Sequence, residues 1–115
     1  VQESIVFYVD NLYFKKVVSI PDNTGKLAFA ILHNGDVEIM LEQQKAFEEE
    51  VSHFKGKEIG GTFSMYIETS DVEALYNKLK DKIQISKELQ ETFYKTKEFG
   101  ILDNNGYVLV FAEKL

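Results

Sequence analysis

The chain has 115 residues, 44% of them hydrophobic and 13% aromatic, which is the composition of a folded domain with a modest core and excludes a disordered segment. It contains no Cys, which excludes a disulfide framework and thiol chemistry, and no apolar run long enough to span a bilayer, so a cytoplasmic protein with no membrane partner is expected. The net charge is −6 and all 13 basic residues are Lys; without guanidinium forks, nucleic acid is not expected as a partner.

In chain order, Gln2 to Phe14 reads as a helix, with Ile5, Tyr8 or Val9, and Leu12 at helical spacing. Lys15 to Ile20 reads as a strand, stopped by the turn-forming Pro21-Asp22-Asn23-Thr24-Gly25. Lys26 to His33 and Asp36 to Glu42 read as two further strands joined by an Asn34-Gly35 hairpin turn. Gln43 to Phe54 is polar with Phe47, Val51 and Phe54 on one edge, the pattern of a connecting helix. Lys55 to Gly61 is linker-like. Thr62 to Thr69 alternates as a strand: Phe63, Met65 and Ile67 face one way, Thr62, Ser64, Tyr66 and Glu68 the other. Ser70 then caps a helix, with Glu73 completing a capping box and Val72, Leu75, Tyr76 and Leu79 as the apolar stripe. Lys82 to Ser86 reads as a strand and Lys87 to Tyr94 as a loop or edge. The closing stretch Lys97 to Glu113 reads as a hairpin around Asp103-Asn104-Asn105-Gly106.

Lys26 to Glu42 has the layout of Lys97 to Glu113. Phe29 matches Phe99, Ile31-Leu32 matches Ile101-Leu102, Gly35 matches Gly106 and Glu42 matches Glu113, with one extra turn residue in the second copy. The chain therefore reads as one domain over 1–115 built from two copies of a unit, about 1–54 and 61–115. The second copy runs strand, helix, strand, strand, strand. By symmetry the first lacks its opening strand, so a sheet edge is left for a partner or an upstream segment to cover.

Ser4-Ile5-x-Phe7-Tyr8 followed by Leu12-x-Phe14, the acidic helix start Ser70-Asp71-Val72-Glu73-Ala74-Leu75, Glu98-Phe99, and Asp103-Asn104-Asn105-Gly106 occur in order over nearly the whole chain. Together they resemble the glyoxalase/bleomycin-resistance/extradiol-dioxygenase superfamily, also called vicinal oxygen chelate proteins. Tyr13, Lys97 and Asn104 depart from the motifs, Tyr13 standing where the family has Gly. The resemblance implies an α+β fold of paired βαβββ units forming cupped mixed sheets, often completed by dimerisation, so a homodimer is expected.

Enzymes of this family hold a divalent metal with His and Glu side chains on the cupped face. Carried over to this chain, the family's ligand positions fall on Ser64, Ile39 and Val110, and the first ligand's strand is outside the chain. Ser is a poor ligand and aliphatic side chains are none, so neither a metal nor another cofactor is expected. A one-residue slip would bring Glu38 and Met40 to that face and turn Val37, Ile39 and Leu41 away, which the period of a strand makes costly. His33 beside a turn, His53 on a polar helix, and Glu42 and Glu113 at strand ends read as surface residues.

What the cup offers is a mixed pocket: Ser64, Tyr66 and Glu68 inward from one strand, Ile39, Leu41 and Val110 as apolar wall, and Phe93 or Tyr94 as rim. Aromatic walls with a carboxylate suit a flat or cationic organic molecule. The expectation is a metal-independent small-molecule binding protein of the bleomycin-resistance type, acting by sequestration and not by catalysis. A metal-dependent lyase or dioxygenase with relocated ligands, and an interaction domain whose cup is filled by its own side chains, are the alternatives left open.

Overall fold

The structure, a computed structural model, describes residues 1–61 and 63–115; Thr62, read above as the first residue of a strand, lies outside the described residues. Two compact units, Val1–Lys57 and Glu58–Leu115, divide the chain. None of the described helices is long and apolar enough to cross a membrane.

The first unit opens with helix α1, Gln2–Leu12, which buries Ser4, Ile5, Tyr8 and Leu12 along one stripe. Tyr13 ends it in the left-handed conformation, φ 62°. Strands β1 (Lys15–Pro21), β2 (Leu27–Asn34) and β3 (Val37–Glu42) follow as an antiparallel sheet in the order β1-β2-β3. The β1–β2 turn is organised by Asp22, whose Oδ1 accepts from the Thr24 amide (2.8 Å), the Thr24 hydroxyl (2.6 Å) and the Lys26 amide (3.1 Å). The β2–β3 turn is Gly35-Asp36, one residue later than the sequence suggests, because Asn34 still pairs with Val37. Its freed side chain instead donates from Nδ2 to the Leu12 carbonyl at the end of α1 (2.9 Å).

That bond fixes which face of the sheet carries the helix. Asn34, Leu32 and Ala30 alternate onto one side, and Leu32 and Ala30 are fully buried. Their register partners are Ile39 and Leu41. The stretch after β3 is not one helix. Helix α2 (Gln44–Glu50) stops at Val51, which is extended, and a single 3-10 turn, Ser52–Phe54, brings the Phe54 ring to 5.1 Å from that of Phe47.

The second unit contains β4 (Ser64–Glu68), α3 (Val72–Leu79), β5 (Ile85–Glu91), β6 (Thr96–Leu102) and β7 (Val108–Lys114), in a sheet ordered β4-β7-β6-β5 with β4 and β7 parallel. Strand β5 extends well past Ser86, through the stretch expected to be loop. Its two register shifts against β6 explain why it lacks a clean alternation. The N-cap of α3 is Asp71, not Ser70: Asp71 sits at φ 52° and its side chain accepts from the Ala74 amide. The Val72 amide goes to the Glu113 carboxylate (2.8 Å), and Glu73 pairs with Lys97 (2.5 Å) instead of folding back into a capping box. Helix α3 therefore lies on the face of Phe99, Ile101, Leu109 and Phe111, all buried, with Tyr76 edge-on to Phe99 at 5.4 Å.

The two units share a layout, α+β with a helix on one face of each sheet. The residue correspondence is shifted by one from that read in the sequence. Counted back from the turns, Asn34 corresponds to Asp103, Leu32 to Ile101 and Ala30 to Phe99; counted forward, Ile39 corresponds to Leu109 and Met40 to Val110. The match of Phe29 to Phe99 paired residues on opposite faces. In the second unit β7 has β4 beside it, whereas among the described residues β3 pairs only with β2.

Candidate functional site

The face of the second sheet away from α3 is the open one. Register places Ser64, Tyr66 and Glu68 of β4 beside Val108, Val110 and Ala112 of β7, and these beside Leu102, Gly100 and Glu98 of β6. Directly opposed residues share a face, so the alternation expected for Ser64, Tyr66, Glu68 and Val110 brings all four to this surface. Ala112 and Gly100 make its floor low. A Cβ on Gly100 would stand 2.7 Å from Ser86 Oγ, so a larger residue there would have to turn the Ser86 side chain away.

In the row of Glu68 and Ala112 stands Glu98, a carboxylate only 1% exposed. Its Oε1 accepts from Lys87 Nζ at 2.9 Å and from the Tyr94 hydroxyl. Its Oε2 is buried and has no hydrogen-bond partner among the described residues. Burial works against the charged carboxylate, but the Tyr94 and Lys87 hydrogen bonds and the Tyr66 phenol beside it outweigh this, and the Glu98 pKa is lowered. The same cluster acts on its neighbours. The Glu98 hydrogen bond raises the pKa of Lys87 and of Tyr94, and desolvation followed by Glu98 raises that of Tyr66. At neutral pH the site is a carboxylate, an ammonium and two neutral phenols.

The other expected site residues are less central. Glu68 is exposed and pairs with Lys114 at 3.3 Å. It lines an open cleft of about 460 Å³ at the end of β4 and β7, with Thr69, Ser70, Ala112, Glu113 and Lys114. Phe93 is at the tip of the β5–β6 turn, 94% exposed, its ring edge-on to Tyr94. Ile39 and Leu41 are not on the open face of their own sheet: they lie with Leu32 and Ala30 on the side that α1 covers. The open face of the first sheet carries Phe29, Ile31, His33, Glu38, Met40 and Glu42 instead. The native register brings Glu38 and Met40 to that open face, because the fully buried Ala30 and Leu32 are paired with the half-buried Leu41 and Ile39, whereas Glu38 and Met40 are exposed.

Sequence reasoning missed Glu98 as a site residue, although Glu98-Phe99 was noticed as a motif. The signal was there in the period: Glu98 alternates with Phe99 and Ile101, which face α3, so a charged residue had to point to the other side of a central strand. The remaining candidates are surface features. His33 Nε2 and Glu38 are cross-strand partners at 2.5 Å, the His53 ring is edge-on to Phe54, and Glu113 holds the start of α3.

The ligand positions of a divalent metal do not fit this chain. By structural correspondence they are Ser64, Val110 and Met40: a hydroxyl, an isopropyl group and a thioether, none suited to a hard or borderline ion. Among the described residues no group of three or more His, Asp or Glu side chains is arranged to hold a metal.

A family model described as the Glyoxalase/Bleomycin resistance protein/Dioxygenase superfamily matches residues 1–111. No curated protein matches the chain. Among solved structures, a glyoxalase/bleomycin resistance protein/dioxygenase family enzyme from Burkholderia phytofirmans PsJN is similar with a TM-score of 0.78 at 19% identity, over 99% of this chain and 90% of that one. TnmS3, an antibiotic binding protein from Streptomyces sp. CB03234, is similar with a TM-score of 0.74 at 15% identity, over 99% and 86%. A lactoylglutathione lyase from Agrobacterium tumefaciens is similar with a TM-score of 0.74 at 14% identity, over 97% and 84%.

Proposed function

The chain belongs to the Glyoxalase/Bleomycin resistance protein/Dioxygenase superfamily, and from that premise we propose that it is a metal-independent binding protein for a small organic molecule, which it sequesters without changing a bond. The observation that carries this reading is the donor set. At the three structurally corresponding ligand positions the chain presents Ser64, Val110 and Met40, which leave a metal no anionic or imidazole ligand.

What the open face of the second unit retains is binding chemistry. Tyr66 and Tyr94, each about half exposed, offer flat rings whose hydroxyl ends are polar. Val110 and the Ala112–Gly100 floor supply apolar contact, and Glu98 with Lys87 supplies a fixed polar centre. Small-molecule sites are built this way, mostly apolar with a few placed polar groups. The antibiotic-binding activity in the name of TnmS3 is a property of that protein, but it agrees with this use of the fold.

The test is titration calorimetry of chelator-treated protein against flat aromatic compounds, followed by recovery and mass analysis of the bound compound. The reading expects saturable binding, recovery of the compound unchanged, and loss of affinity in Tyr66→Ala, while Glu68→Gln has the smaller effect. Conversion of the compound, or affinity indifferent to Tyr66→Ala, would sink it.

A further inference from the structure

We infer that Glu98 is the anchor of this site: its Oε2 accepts a hydrogen bond from an N–H group of a flat aromatic ligand, with the Tyr66 ring as a movable cover. The inference deepens the binding reading and rests on it.

The two oxygens of Glu98 are held unequally. Oε1 takes both protein donors, Lys87 Nζ and the Tyr94 hydroxyl. Oε2 has no donor in hydrogen-bonding geometry among the described residues, although it is as fully buried; the Tyr66 hydroxyl stands near the carboxylate and helps to hold it ionised. Most buried polar atoms in folded proteins have a partner, and an ionised oxygen without one is expensive. The strand could have avoided this cost: the corresponding residue in the first unit is Phe29. A carboxylate kept with one oxygen oriented and the other unpaired is arranged to receive a donor. Because Lys87 already balances the charge, what is missing is a hydrogen and not a second cation. An N–H group therefore fits better than a quaternary ammonium, which has charge but no donor.

The surroundings define the rest of the ligand. Ala112 lies between Glu98 and Glu68 in the sheet, and its small side chain lets Tyr66 lean from β4 toward Glu98 and Thr96. Tyr66 is 53% exposed, so rotation of its side chain uncovers Oε2 without breaking a bond of the sheet. A flat ring entering there would stack on the Tyr66 and Tyr94 rings and direct its N–H at Glu98.

Three acridines separate the possibilities at pH 8: acridine has neither charge nor donor, N-methylacridinium has charge only, and proflavine has charge and N–H groups. With wild-type protein, proflavine is expected to bind at least about tenfold tighter than N-methylacridinium, the lower end of what a hydrogen bond to a charged group provides. Glu98→Gln is expected to abolish that preference. Equal binding of proflavine and N-methylacridinium to the wild type would overturn the anchor and leave the binding site standing. Absence of binding by all three below about 1 mM would overturn both. Should Glu98→Gln fail to fold, carboxyl-carbon NMR of wild-type protein decides. Proflavine must move the Glu98 resonance more than N-methylacridinium does; equal shifts, or a Glu98 signal unmoved at saturation, refute the inference.

Discussion

Tyr13 ends α1 at φ 62°, a conformation that costs a residue with a Cβ roughly 1–2 kcal/mol and Gly almost nothing. Its ring is 64% exposed and buries little in exchange. Tyr13→Gly is therefore expected to stabilise the protein by about 1 kcal/mol, read as a higher midpoint in urea with an unchanged slope. Asp22 makes a second residue-scale case. Hydrogen bonds from Thr24, Gln43 and Lys26 lower its pKa to about 2. A depressed carboxyl contributes stability that is present above its unfolded pKa, about 3.9, and lost as pH falls through the folded value. Between those two values, Asp22→Asn should make stability fall less steeply with acid than in the wild type, measured by denaturant titration at successive pH values. An identical pH slope would mean that Asp22 titrates alike folded and unfolded. The turn residues were legible because Pro21, Asp22 and Gly25 mark a turn by their own chemistry. The Asp71 cap was not, because Glu113 and Lys97, both distant in sequence, take the Val72 amide and the Glu73 carboxylate, leaving Asp71 to accept from Ala74.

Among elements, strand β3 teaches most. Val37–Glu42 has apolar side chains at Val37, Ile39, Met40 and Leu41, so its own pattern does not say which face is buried. The decision comes from β2, where Ala30 and Leu32 pack under α1 and select Leu41 and Ile39 as their partners. Matching Phe29 to Phe99 hid this, since a shift of one residue in a strand exchanges its faces. The expected outcome follows directly: Ile39→Asp should destabilise markedly, whereas Met40→Asp, at a position 62% exposed, should stay within about 0.5 kcal/mol of wild type. Thermal unfolding of the pair checks it, and a larger loss for Met40→Asp would reverse the assignment of faces. In β6 the alternation was clear enough to place Phe99 and Ile101 in the core, yet Glu98 was passed over, because a charged residue in a strand reads as solvent-facing. Its burial arises from Tyr94 and Lys87, which come from the β5–β6 hairpin, a region with no readable period.

For the whole molecule, the helix followed by three strands that recurs in both units, and the family, were legible in the order of weak motifs, because turns and helix starts carry local signals at fixed places along a chain. The faces of the candidate ligand positions were legible in part: alternation along β4 and β7 brings Ser64 and Val110 to the open face, whereas in the first sheet Met40 and not Ile39 takes that face. On the function proposed, the chain binds an organic molecule with its own side chains and without a metal. The most direct measurement is the melting temperature of chelator-treated protein, scanned against Mn, Fe(II), Ni and Zn and then against aromatic compounds carrying N–H groups. No shift is expected with any of the metals. A matching organic ligand at a hundred times its Kd should stabilise by about 2.7 kcal/mol, on the order of 10 °C for a domain of this size. Near-stoichiometric retention of one divalent metal, with a shift of that size on adding it back, would contradict the account.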